Sequence, residues 1–567
     1  MIRFLFLFEC VALISCNTPS AGLSDKFVEG SDIRVKNGLV VSAHPESSRI
    51  GAAILLKGGN AIDAAAATEF ALAVCYPEAG NIGGGGFMVI RMADGRVDVL
   101  DYREKTPFNG SRNMFLDEAG NVLEGLSTNT HLASGVPGTV EGVITAHEKY
   151  GKLSFSEIIQ PAIDLAEKGF PITENQASSL NSARKAFISR NSKWPAFVRD
   201  SLWKAGDILR QPDLAETLKR IRDNGREGFY GGKTAELIIK EMKRGNGIIS
   251  ENDLKNYRAV WRKPVKGSYR DYNIYSVPPP SSGGIILLQL LGMIEDYPVA
   301  EYGFHTPQTI HLMVEAERRA FADRAEFLGD PDYISVPAKE LINHEYLKER
   351  MSSFDEERAT SSSQLKHGNP FQGESEETTH YSVVDAMGNA VATTTTLNGS
   401  FGNSIVVDGA GFLLNNQMDD FSVKPGFPNM YGLVGGEANS IQPGKRMLSS
   451  MTPTIIEKDD RLFMVLGSPG GSTIPTSVFQ VIVNVIDFGM DIFEAVSSSR
   501  FHHQWLPDNI SVESNSIELT VQEHLQSLGY DLVNRGAIGR VNAIMTESEG
   551  TLASGADRRG NNVATGF

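Results

Sequence analysis

The sequence predicts a globular protein that mixes helices and strands, and three observations lead to this class. The chain has 567 residues, 41% of them hydrophobic, so it can bury a large core in one large folding unit or in two or more units. Helix-like runs fill much of the first 350 residues, whereas strand-like runs dominate after residue 378. Fifty-six glycines and 25 prolines indicate many turns, and no fixed-period repeat is present.

The chain is acidic, with a net charge of −16 and an isoelectric point of about 5.3. A broad acidic surface repels nucleic acid and anionic lipid, so neither is expected as the main partner. The charge does not identify a substrate, because an acidic protein can still present a single arginine inside a binding site.

Residues 1–16 have the pattern of a secretory signal peptide. Arg3 supplies a positive start, and the apolar run over residues 4–14 is too short to span a bilayer as a mature helix. The run ends in Leu-Ile-Ser-Cys, which resembles a bacterial lipoprotein processing box in which Cys16 would carry the lipid. The alternative is an ordinary cleaved leader. We therefore expect an exported protein, periplasmic or anchored to a membrane of the bacterial cell envelope through Cys16.

Two helices are predicted over residues 48–57 and 60–74, with a Gly-Gly break between them. The second is alanine-rich and apolar on nearly every face, which is typical of a buried helix. It is followed by Cys75, which we interpret as a core residue. No disulfide framework is expected, because Cys10 would leave with the leader and Cys16 would carry lipid.

Four glycines follow at residues 83–86. They lack the Lys-Ser/Thr ending of a phosphate loop and precede a strand, so they indicate close packing of the backbone near a site. The strand belongs to a predicted hairpin whose turn is formed by Asp94 and Gly95.

Residues 150–350 are predicted to be mainly helical, with a strong amphipathic helix that begins near Pro307. His305 and His311 have no metal-ligand spacing to another histidine or cysteine, so we interpret them as capping or core residues. Residues 358–377 are polar, rich in serine and glycine, and free of periodic apolar positions, which predicts a flexible, exposed segment. A chain can be cut in such a segment without loss of its fold.

Thr378 directly follows that segment and opens a strand-like run. A threonine hydroxyl is a poor nucleophile without a base. If the bond between Glu377 and Thr378 is cut, the free α-amine of Thr378 lies beside its own hydroxyl group. The reference pKa of an α-amine, about 7.7–8.0, leaves part of it neutral near pH 7. On this stretch alone, an ordinary loop that enters a strand remains the alternative.

The turn of the hairpin that follows Thr378 predicts its register. A three-residue loop with Gly388 in the left-handed conformation puts Asp385 opposite Asn389. Counting back along both strands then puts Thr378 opposite Thr396, so that two hydroxyl groups lie side by side.

An oxyanion in the transition state requires N–H donors nearby. The stretch Gly-Ser-Pro-Gly-Gly-Ser at residues 467–472 is the candidate, because Gly470 and Gly471 let the backbone approach a ligand closely.

Residues 378–507 contain the motifs TTHYSVVD, TLNGSFGNSIVV, GFLLNNQMDDFSVKPG, YGLVGG, KRMLSSMTPT, GSPGGS and RFHHQWLP. In this order and spacing they resemble the γ-glutamyltranspeptidases of bacterial type. These enzymes, also called glutathione hydrolases, belong to the N-terminal-nucleophile hydrolases. The resemblance covers nearly the whole chain after the leader. The segment SGADRRGNN near the C-terminus departs from the family's usual pattern, which is closer to Ser-Asp-Pro-Arg.

The resemblance implies a role for each matching residue. Thr378 would be the nucleophile, released at the Glu377–Thr378 bond and supported by Thr396. Gly470 and Gly471 would form the oxyanion hole.

The resemblance also implies two groups that bind the ends of the substrate. Its α-carboxylate would be bound by Arg103, whose guanidinium can donate two parallel hydrogen bonds, with help from Ser449 and Ser450. Its α-amino group would be bound by three residues, which are Asn398, Gln417 and Asp420.

The family resemblance further implies an α+β fold, the four-layer αββα sandwich with two stacked, mainly antiparallel sheets between helical layers. The chain would cleave itself into a large subunit of residues 17–377 and a small catalytic subunit of residues 378–567. These would remain one intertwined heterodimer. The implied enzyme transfers the γ-glutamyl group of glutathione or its conjugates to water, an amino acid or a peptide, without a metal or an organic cofactor.

Residues 425–436 resemble the family's lid loop, with Tyr431 as its aromatic latch. The lid and Asp420 favour a glutathione-type enzyme over a cephalosporin or poly-γ-glutamate acylase on the same fold. Another alternative is a non-catalytic envelope lipoprotein that binds amino acids or peptides and stays one chain. A histidine-dependent hydrolase is the weakest alternative, because no matching nucleophile elbow accompanies the histidines.

Overall fold

The structure is a computed structural model that describes residues 26–365, 378–424, 427 and 436–567. Within these residues, two large β-sheets stack face to face, and helices cover both outer faces. No helix among the described residues has the length and apolar character needed to cross a membrane.

The strands, in chain order, are β1 (Val28–Gly30), β2 (Arg34–Val35), β3 (Gly38–Ser42), β4 (Gly85–Arg91), β5 (Val97–Asp101), β6 (Phe170–Pro171), β7 (Ile208–Leu209), β8 (Val260–Arg262), β9 (Val265–Tyr269), β10 (Tyr272–Ser276), β11 (Thr379–Asp385), β12 (Ala390–Thr396), β13 (Thr454–Lys458), β14 (Arg461–Gly467), β15 (Phe501–His502), β16 (Ile510–Glu513), β17 (Leu532–Arg535), β18 (Asn542–Thr546), β19 (Leu552–Ala556) and β20 (Val563–Gly566).

The helices, in chain order, are α1 (Pro45–Leu56), α2 (Ala61–Cys75), α3 (Thr139–Tyr150), α4 (Phe155–Lys168), α5 (Glu174–Arg190), α6 (Pro212–Asn224), α7 (Glu227–Tyr230), α8 (Gly232–Arg244), α9 (Glu251–Asn256), α10 (Gly283–Ile294), α11 (Val299–Tyr302), α12 (Pro307–Phe327), α13 (Ala338–Leu341), α14 (His344–Met351), α15 (Thr473–Ile486), α16 (Ile492–Ser497) and α17 (Leu519–Ser527).

Both large sheets are antiparallel throughout. The first has the strand order β1-β20-β3-β11-β12-β4-β5-β8, and the second has the order β2-β19-β18-β14-β13-β10-β9. Each sheet therefore contains strands from before and after Thr378. A small third sheet, β15-β16-β17, includes one parallel pair.

Three apolar layers hold the four structural layers together. Helices α1 to α4 pack on or behind the outer face of the first sheet, and α10, α15 and α16 contact the second. Successive residues of a strand point to opposite faces, and β11 shows this clearly. Tyr381 and Val383 face the helices of the first layer, whereas Val384 lies between the two sheets.

The predicted elements near the start of the chain are confirmed. Helices α1 and α2 match the two predicted helices, and every residue of α2 is buried. Asn60 caps α2 by accepting hydrogen bonds at the first turn, and Asp63 completes a capping box. Cys75 at its end is buried, as expected for a core residue. The turn of the next hairpin contains Gly95 with a φ of +87°.

The four-glycine stretch packs closely on neighbouring backbone, as predicted. A Cβ on Gly84 would come within 2.0 Å of the Thr396 carbonyl oxygen, and one on Gly86 within 2.4 Å of the Thr394 carbonyl oxygen. Side chains at these positions would push the strand β12 away from β4. The glycines therefore set the end of β12, where Thr396 lies.

Helix α12 begins at Pro307 as predicted, and nearly all of it lies inside the protein. Its residues are buried from Thr309 to Ala325, including its arginines. Arg318 and Arg319 can be buried because both pair with Glu315 on the same helix. His311 is a core residue that contacts the Tyr530 hydroxyl at 2.6 Å, and no cluster that could hold a metal ion occurs in the described ranges.

Residues 358–365, which we call the arm, begin the segment that the sequence predicts to be flexible and exposed. In the structure they are docked on the protein. The Thr360 N–H donates to Glu315 Oε1 at 3.1 Å, and the Ser362 N–H donates to Asp508 Oδ2 at 2.8 Å. Ser362 is 2% exposed. Residues 366–377, the remainder of that segment, lie outside the described residues.

The segment near the C-terminus that departs from the family pattern is fixed by buried charges. Asp557 is fully buried and accepts hydrogen bonds from Arg500 at 2.8 Å and from Arg559 at 3.0 Å. These pairs hold the end of β19 in the second sheet.

Candidate active site

A small cavity opens where strands of both sheets end at the same edge of the sandwich. In the first sheet, β12 ends at Thr396 beside the start of β11. In the second sheet, β14 ends at Gly467 beside the start of β13. The residues that line the cavity are Arg103, Thr378, Thr396, Asn398, Gln417, Asp420, Ser449, Ser450, Met451, Gly471 and Ile474.

The cavity brings together most of the site residues that the sequence predicts. Nine of its lining residues belong to that set, and Gly470, which is not a lining residue, directly precedes Gly471, which is one of the nine. Tyr431, Glu377 and Cys16 lie outside the described residues, as does most of the lid segment.

The predicted register of the hairpin is confirmed. Thr379 pairs with Thr395, and Val384 pairs with Ala390. Gly388 has a φ of +81°, the left-handed conformation that the three-residue loop requires. The same register places Thr378 opposite Thr396, directly beyond the last pair of the ladder.

Thr396 is held from two directions. Its Oγ1 accepts a hydrogen bond from the N–H of Asn398 at 2.8 Å, and its carbonyl oxygen accepts one from Asn81 Nδ2 at 3.0 Å. Asn398 has a φ of +75°, a left-handed conformation that asparagine adopts more easily than most residues. Asn81 also accepts from the Gly84 N–H at 2.8 Å, so it links the four-glycine stretch to Thr396.

Arg103 and Asp420 form an ion pair across the cavity, although 317 residues separate them in the chain. Gln417 Nε2 donates to the same carboxylate oxygen of Asp420 at 2.6 Å. The other carboxylate oxygen, Oδ1, and the Gln417 Oε1 have no hydrogen-bond partner among the described residues. A ligand with donor groups could satisfy both atoms.

Burial raises the pKa of Asp420 above its ordinary value, although Arg103 and Gln417 oppose the shift. Burial also raises the pKa of Glu104 to about 7. Glu104 is fully buried and lies 3.7 Å from Arg103, so these two neighbouring residues do not form a surface ion pair. The carboxylates of this region are therefore easier to protonate than exposed ones.

A cluster of three serines, Ser282, Ser449 and Ser450, lies beside Arg103. Ser282 Oγ donates to the carbonyl oxygen of Ser449 at 2.7 Å and lies 3.3 Å from Ser450 Oγ. Arg324 Nε donates to Ser282 Oγ at 2.9 Å. Sequence reasoning found the two serines at 449 and 450 but missed Ser282 and Arg324.

The stretch of residues 467–472, which we call the glycine loop, connects β14 to α15. Gly470 and Gly471 have φ values of +132° and +59°, which favour glycine. Among the described residues, neither N–H donates a hydrogen bond. Such free N–H groups in a left-handed turn form a concave site for an anion.

The missed residues had weak signals in the sequence. Asn81 lies two residues before the four glycines, and Arg324 is one of three arginines in α12. Neither position belongs to a short motif, and both act through contacts with segments far along the chain. An asparagine next to a glycine run was the stronger of the two signals.

Comparison with known proteins places the chain among relatives over most of its length. The family model described as Gamma-glutamyltranspeptidase matches residues 47–567. A protein described as glutathione hydrolase proenzyme from Escherichia coli (strain K12) is 46% identical over 529 residues, which cover 93% of this chain and 91% of that protein.

Two solved structures are similar in three dimensions. The crystal structure of cephalosporin acylase from Bacillus halodurans has a TM-score of 0.81 at 25% identity and covers 95% of this chain and 97% of that one. The crystal structure of Helicobacter pylori γ-glutamyltranspeptidase has a TM-score of 0.58 at 47% identity and covers 59% of this chain and 96% of that one. The predicted four-layer fold is confirmed.

Proposed function

The chain belongs to the γ-glutamyltranspeptidase family, and we propose that it is a γ-glutamyltransferase and glutathione hydrolase activated by a cut before Thr378. One observation carries the proposal. A single cavity is lined by a threonine hydroxyl, a guanidinium, a carboxylate and a glycine loop with free N–H groups. A γ-glutamyl group presents the complementary set: a carboxylate, an ammonium group and an amide carbonyl.

Self-cleavage begins with attack of Thr378 Oγ1 on the carbonyl carbon of Glu377. The C–O bond forms, the C–N bond breaks, and the hydroxyl proton passes to the departing nitrogen, which becomes the α-amine of Thr378. Water then hydrolyses the ester and leaves a free carboxyl group on Glu377. The resulting large subunit ends at Glu377 and the small subunit consists of residues 378–567; they stay together because each large sheet contains strands from both.

The mature site binds its substrate by charge. The α-carboxylate is held by Arg103 with Ser449 and Ser450, and the α-ammonium group by Asp420 with its neighbouring amides. Before the substrate enters, Arg103 and Asp420 neutralise each other. A zwitterionic ligand replaces that single ion pair by two charge-assisted contacts and satisfies the free oxygen of Asp420. The ligand therefore leaves no buried charge unpaired.

The reaction then repeats the chemistry of self-cleavage on a γ-glutamyl amide. The α-amine of Thr378 takes the proton of the Thr378 hydroxyl, and the oxygen attacks the γ-carbonyl carbon. The N–H groups of Gly470 and Gly471 stabilise the oxyanion. Cys-Gly leaves from glutathione with the proton on its nitrogen, and an ester to Thr378 remains. Water releases glutamate, or an amino acid or peptide takes the γ-glutamyl group.

The test is a denaturing gel of the wild-type protein beside the Thr378→Ala variant, with N-terminal sequencing of the small band. We expect a fragment of residues 378–567 that begins Thr-Thr-His-Tyr in the wild type, and an intact variant. A γ-glutamyl anilide assay then measures turnover. A folded wild-type protein that stays one chain would lack the α-amine base, and the proposal would be wrong.

An acylase with a different acyl group is the second candidate, because the fold is shared with a cephalosporin acylase. The two candidates differ at the α-ammonium group, which a glutaryl substrate lacks. A glutaryl group would leave Asp420 buried without its ligand. We expect turnover of γ-glutamyl anilide and little turnover of glutaryl anilide; the reverse preference would establish the acylase.

We further propose that the protein is exported and that Cys16 is lipidated. The proposal rests on the sequence pattern of residues 1–16, which lie outside the described residues. Mass spectrometry of the mature N-terminus after export tests it. A lipidated cysteine at the new N-terminus supports the anchor, and an unmodified N-terminus at another position contradicts it.

A further inference from the structure

Residues 502–508, which we call the bridge segment, lie between the glycine loop and the arm. Trp505 in this segment has a φ of +67°, which is rare for a bulky side chain. Backbone strain of this kind persists where the surrounding contacts hold the residue in place, and it is enriched at functional sites. The contacts that hold the bridge segment in this conformation therefore indicate a functional role.

On one side, the bridge segment holds the glycine loop through Gln504. Ser472 Oγ donates to Gln504 Oε1 at 2.7 Å, and the ring Nε2 of His502 lies 3.0 Å from the same oxygen. Burial lowers the pKa of His502 to about 4, so the ring is neutral at pH 7, and its Nε2–H donates because the amide oxygen Gln504 Oε1 can only accept. Gln504 Nε2 donates to the Leu506 carbonyl oxygen at 3.2 Å, which fixes the orientation of the amide. Ser472 directly follows Gly471.

On the other side, the bridge segment holds the arm. Trp505 Nε1 donates to the carbonyl oxygens of Ser362 at 3.0 Å and Leu365 at 3.2 Å. Asp508 Oδ2 accepts from the Ser362 N–H at 2.8 Å, and Asp508 also pairs with Arg318. The arm thus ends at a fixed point on residues that follow Thr378 in the chain.

We propose that the bridge segment positions two parts of the reaction at Thr378: Gln504 fixes the glycine loop, and Trp505 with Asp508 fixes the arm that leads to the bond to be cut. This inference rests on the proposed function. If it is correct, loss of the two contacts should affect different reactions. Gln504 acts in self-cleavage and in turnover, because both use the glycine loop. Asp508 acts in self-cleavage alone, because the arm carries no reacting group once the bond is cut.

The contact with the glycine loop is tested by two variants of Gln504. Gln504→Met keeps the size of the side chain and removes the acceptor, so kcat should fall about tenfold while KM stays within about twofold. Gln504→Glu keeps an acceptor for Ser472 and should recover most of kcat. Gln526→Ala, an exposed glutamine on α17, is the matched control. Ser472→Ala removes the same hydrogen bond and replaces Gln504→Met if that variant does not fold.

The contact with the arm is tested by Asp508→Ala. Full-length precursor is made by cell-free translation, and the first-order rate of its cleavage is followed on a gel. We expect cleavage to be about tenfold slower, with kcat and KM of the matured enzyme within about twofold of wild type. Asp531→Ala, an exposed aspartate with no side-chain contact among the described residues, is the control and should cleave at the wild-type rate.

Four outcomes decide the inference. It is supported if the Gln504→Met variant is slow in both reactions and Asp508→Ala is slow in cleavage alone. It is overturned if both variants cleave and turn over at wild-type rates, or if Asp508→Ala lowers turnover as much as cleavage. If wild-type precursor folds but is never cut, the proposed function fails, and the inference fails with it.

Discussion

Two buried clusters in this protein both pair arginine with a carboxylate, but the pKa of the carboxylate is raised in one and lowered in the other. The first is the pair of Arg103 and Asp420 in the cavity. The second is Glu315 with Arg318 and Arg319 on helix α12, behind the arm. In both, the charged side chains are almost completely buried, so the difference between them does not come from exposure to solvent.

The cluster on α12 is fully satisfied. Glu315 Oε2 accepts from Arg319 at 2.5 Å, and Oε1 accepts from Arg318 at 3.2 Å, from the Thr360 N–H at 3.1 Å and from the Tyr530 hydroxyl at 2.9 Å. Burial works against the charged form of Glu315, but the two arginines outweigh it and lower its pKa to about 2.

The pair in the cavity is incompletely satisfied. Asp420 has a raised pKa, and its Oδ1 has no partner in the part of the chain that the structure describes. Buried polar groups in native proteins are almost always hydrogen-bonded, so an exception requires an explanation. The satisfied cluster fits a structural role, whereas the incomplete one fits the proposed binding of a ligand that would complete it.

The largest effect is expected from removing the nucleophile while both clusters stay intact. Thr378→Ala should prevent self-cleavage and lower γ-glutamyl anilide hydrolysis by at least about 10³-fold. Thr379→Val is the matched control, because its hydroxyl has no partner among the described residues and should be dispensable. Retained hydrolysis in the Thr378→Ala variant would point to a histidine-dependent enzyme.

The next effect breaks the cavity pair. Asp420→Asn removes the charge that we propose binds the α-ammonium group, so KM for a γ-glutamyl substrate should rise roughly 10- to 100-fold. The thermal midpoint should fall less than in a variant of a fully satisfied pair, because Asp420 is incompletely hydrogen-bonded and the Glu104 carboxylate still lies 3.7 Å from Arg103. Steady-state kinetics and thermal denaturation measure the two quantities. A large loss of stability with an unchanged KM would make the cavity pair structural.

The complementary change breaks the cluster on α12. Glu315→Gln leaves the buried Arg319 without its carboxylate and removes one of the two carboxylates that pair with Arg318, so it should destabilise the protein by about 3 kcal/mol. KM should stay at the wild-type value. Thermal unfolding is measured in the uncut Thr378→Ala background, with the exposed Glu349→Gln as the control. An unchanged midpoint would contradict the structural role.

The smallest effect is a difference in pH dependence between the two clusters. The lowered pKa of Glu315 contributes stability that is fully present above the ordinary value of 4.5 and is lost as the pH falls toward about 2. The raised pKa of Asp420 acts in the opposite direction on binding, so KM should begin to rise at a higher pH than for an ordinary aspartate. Stability curves and KM profiles between about pH 3 and 7, which cover the titration of carboxylates with raised or lowered pKa values, measure this. Parallel pH dependences of stability and KM would contradict the difference between the two clusters.

Features that depend on short stretches of chain could be predicted from the amino-acid sequence alone. The loop with Gly388 fixed the register of β11 and β12 and so placed Thr378 opposite Thr396. The four glycines predicted close packing of the backbone. Helix α2 begins directly after Asn60, at the position where the apolar, alanine-rich run begins. The resemblance to one family supplied the remaining site residues, because ordered motifs match residue by residue.

The contacts between groups that are distant in the chain could be seen only in the three-dimensional structure. It paired Arg103 with Asp420 across 317 residues, added Asn81 and Arg324 to the site, and docked the arm that its composition predicts to be exposed. The physical reason is the range of the interactions. Turn geometry and strand alternation act over a few residues, so they can be read from a short stretch. Pairing of buried charges depends on which segments the fold brings within hydrogen-bonding distance, and no local pattern contains that information.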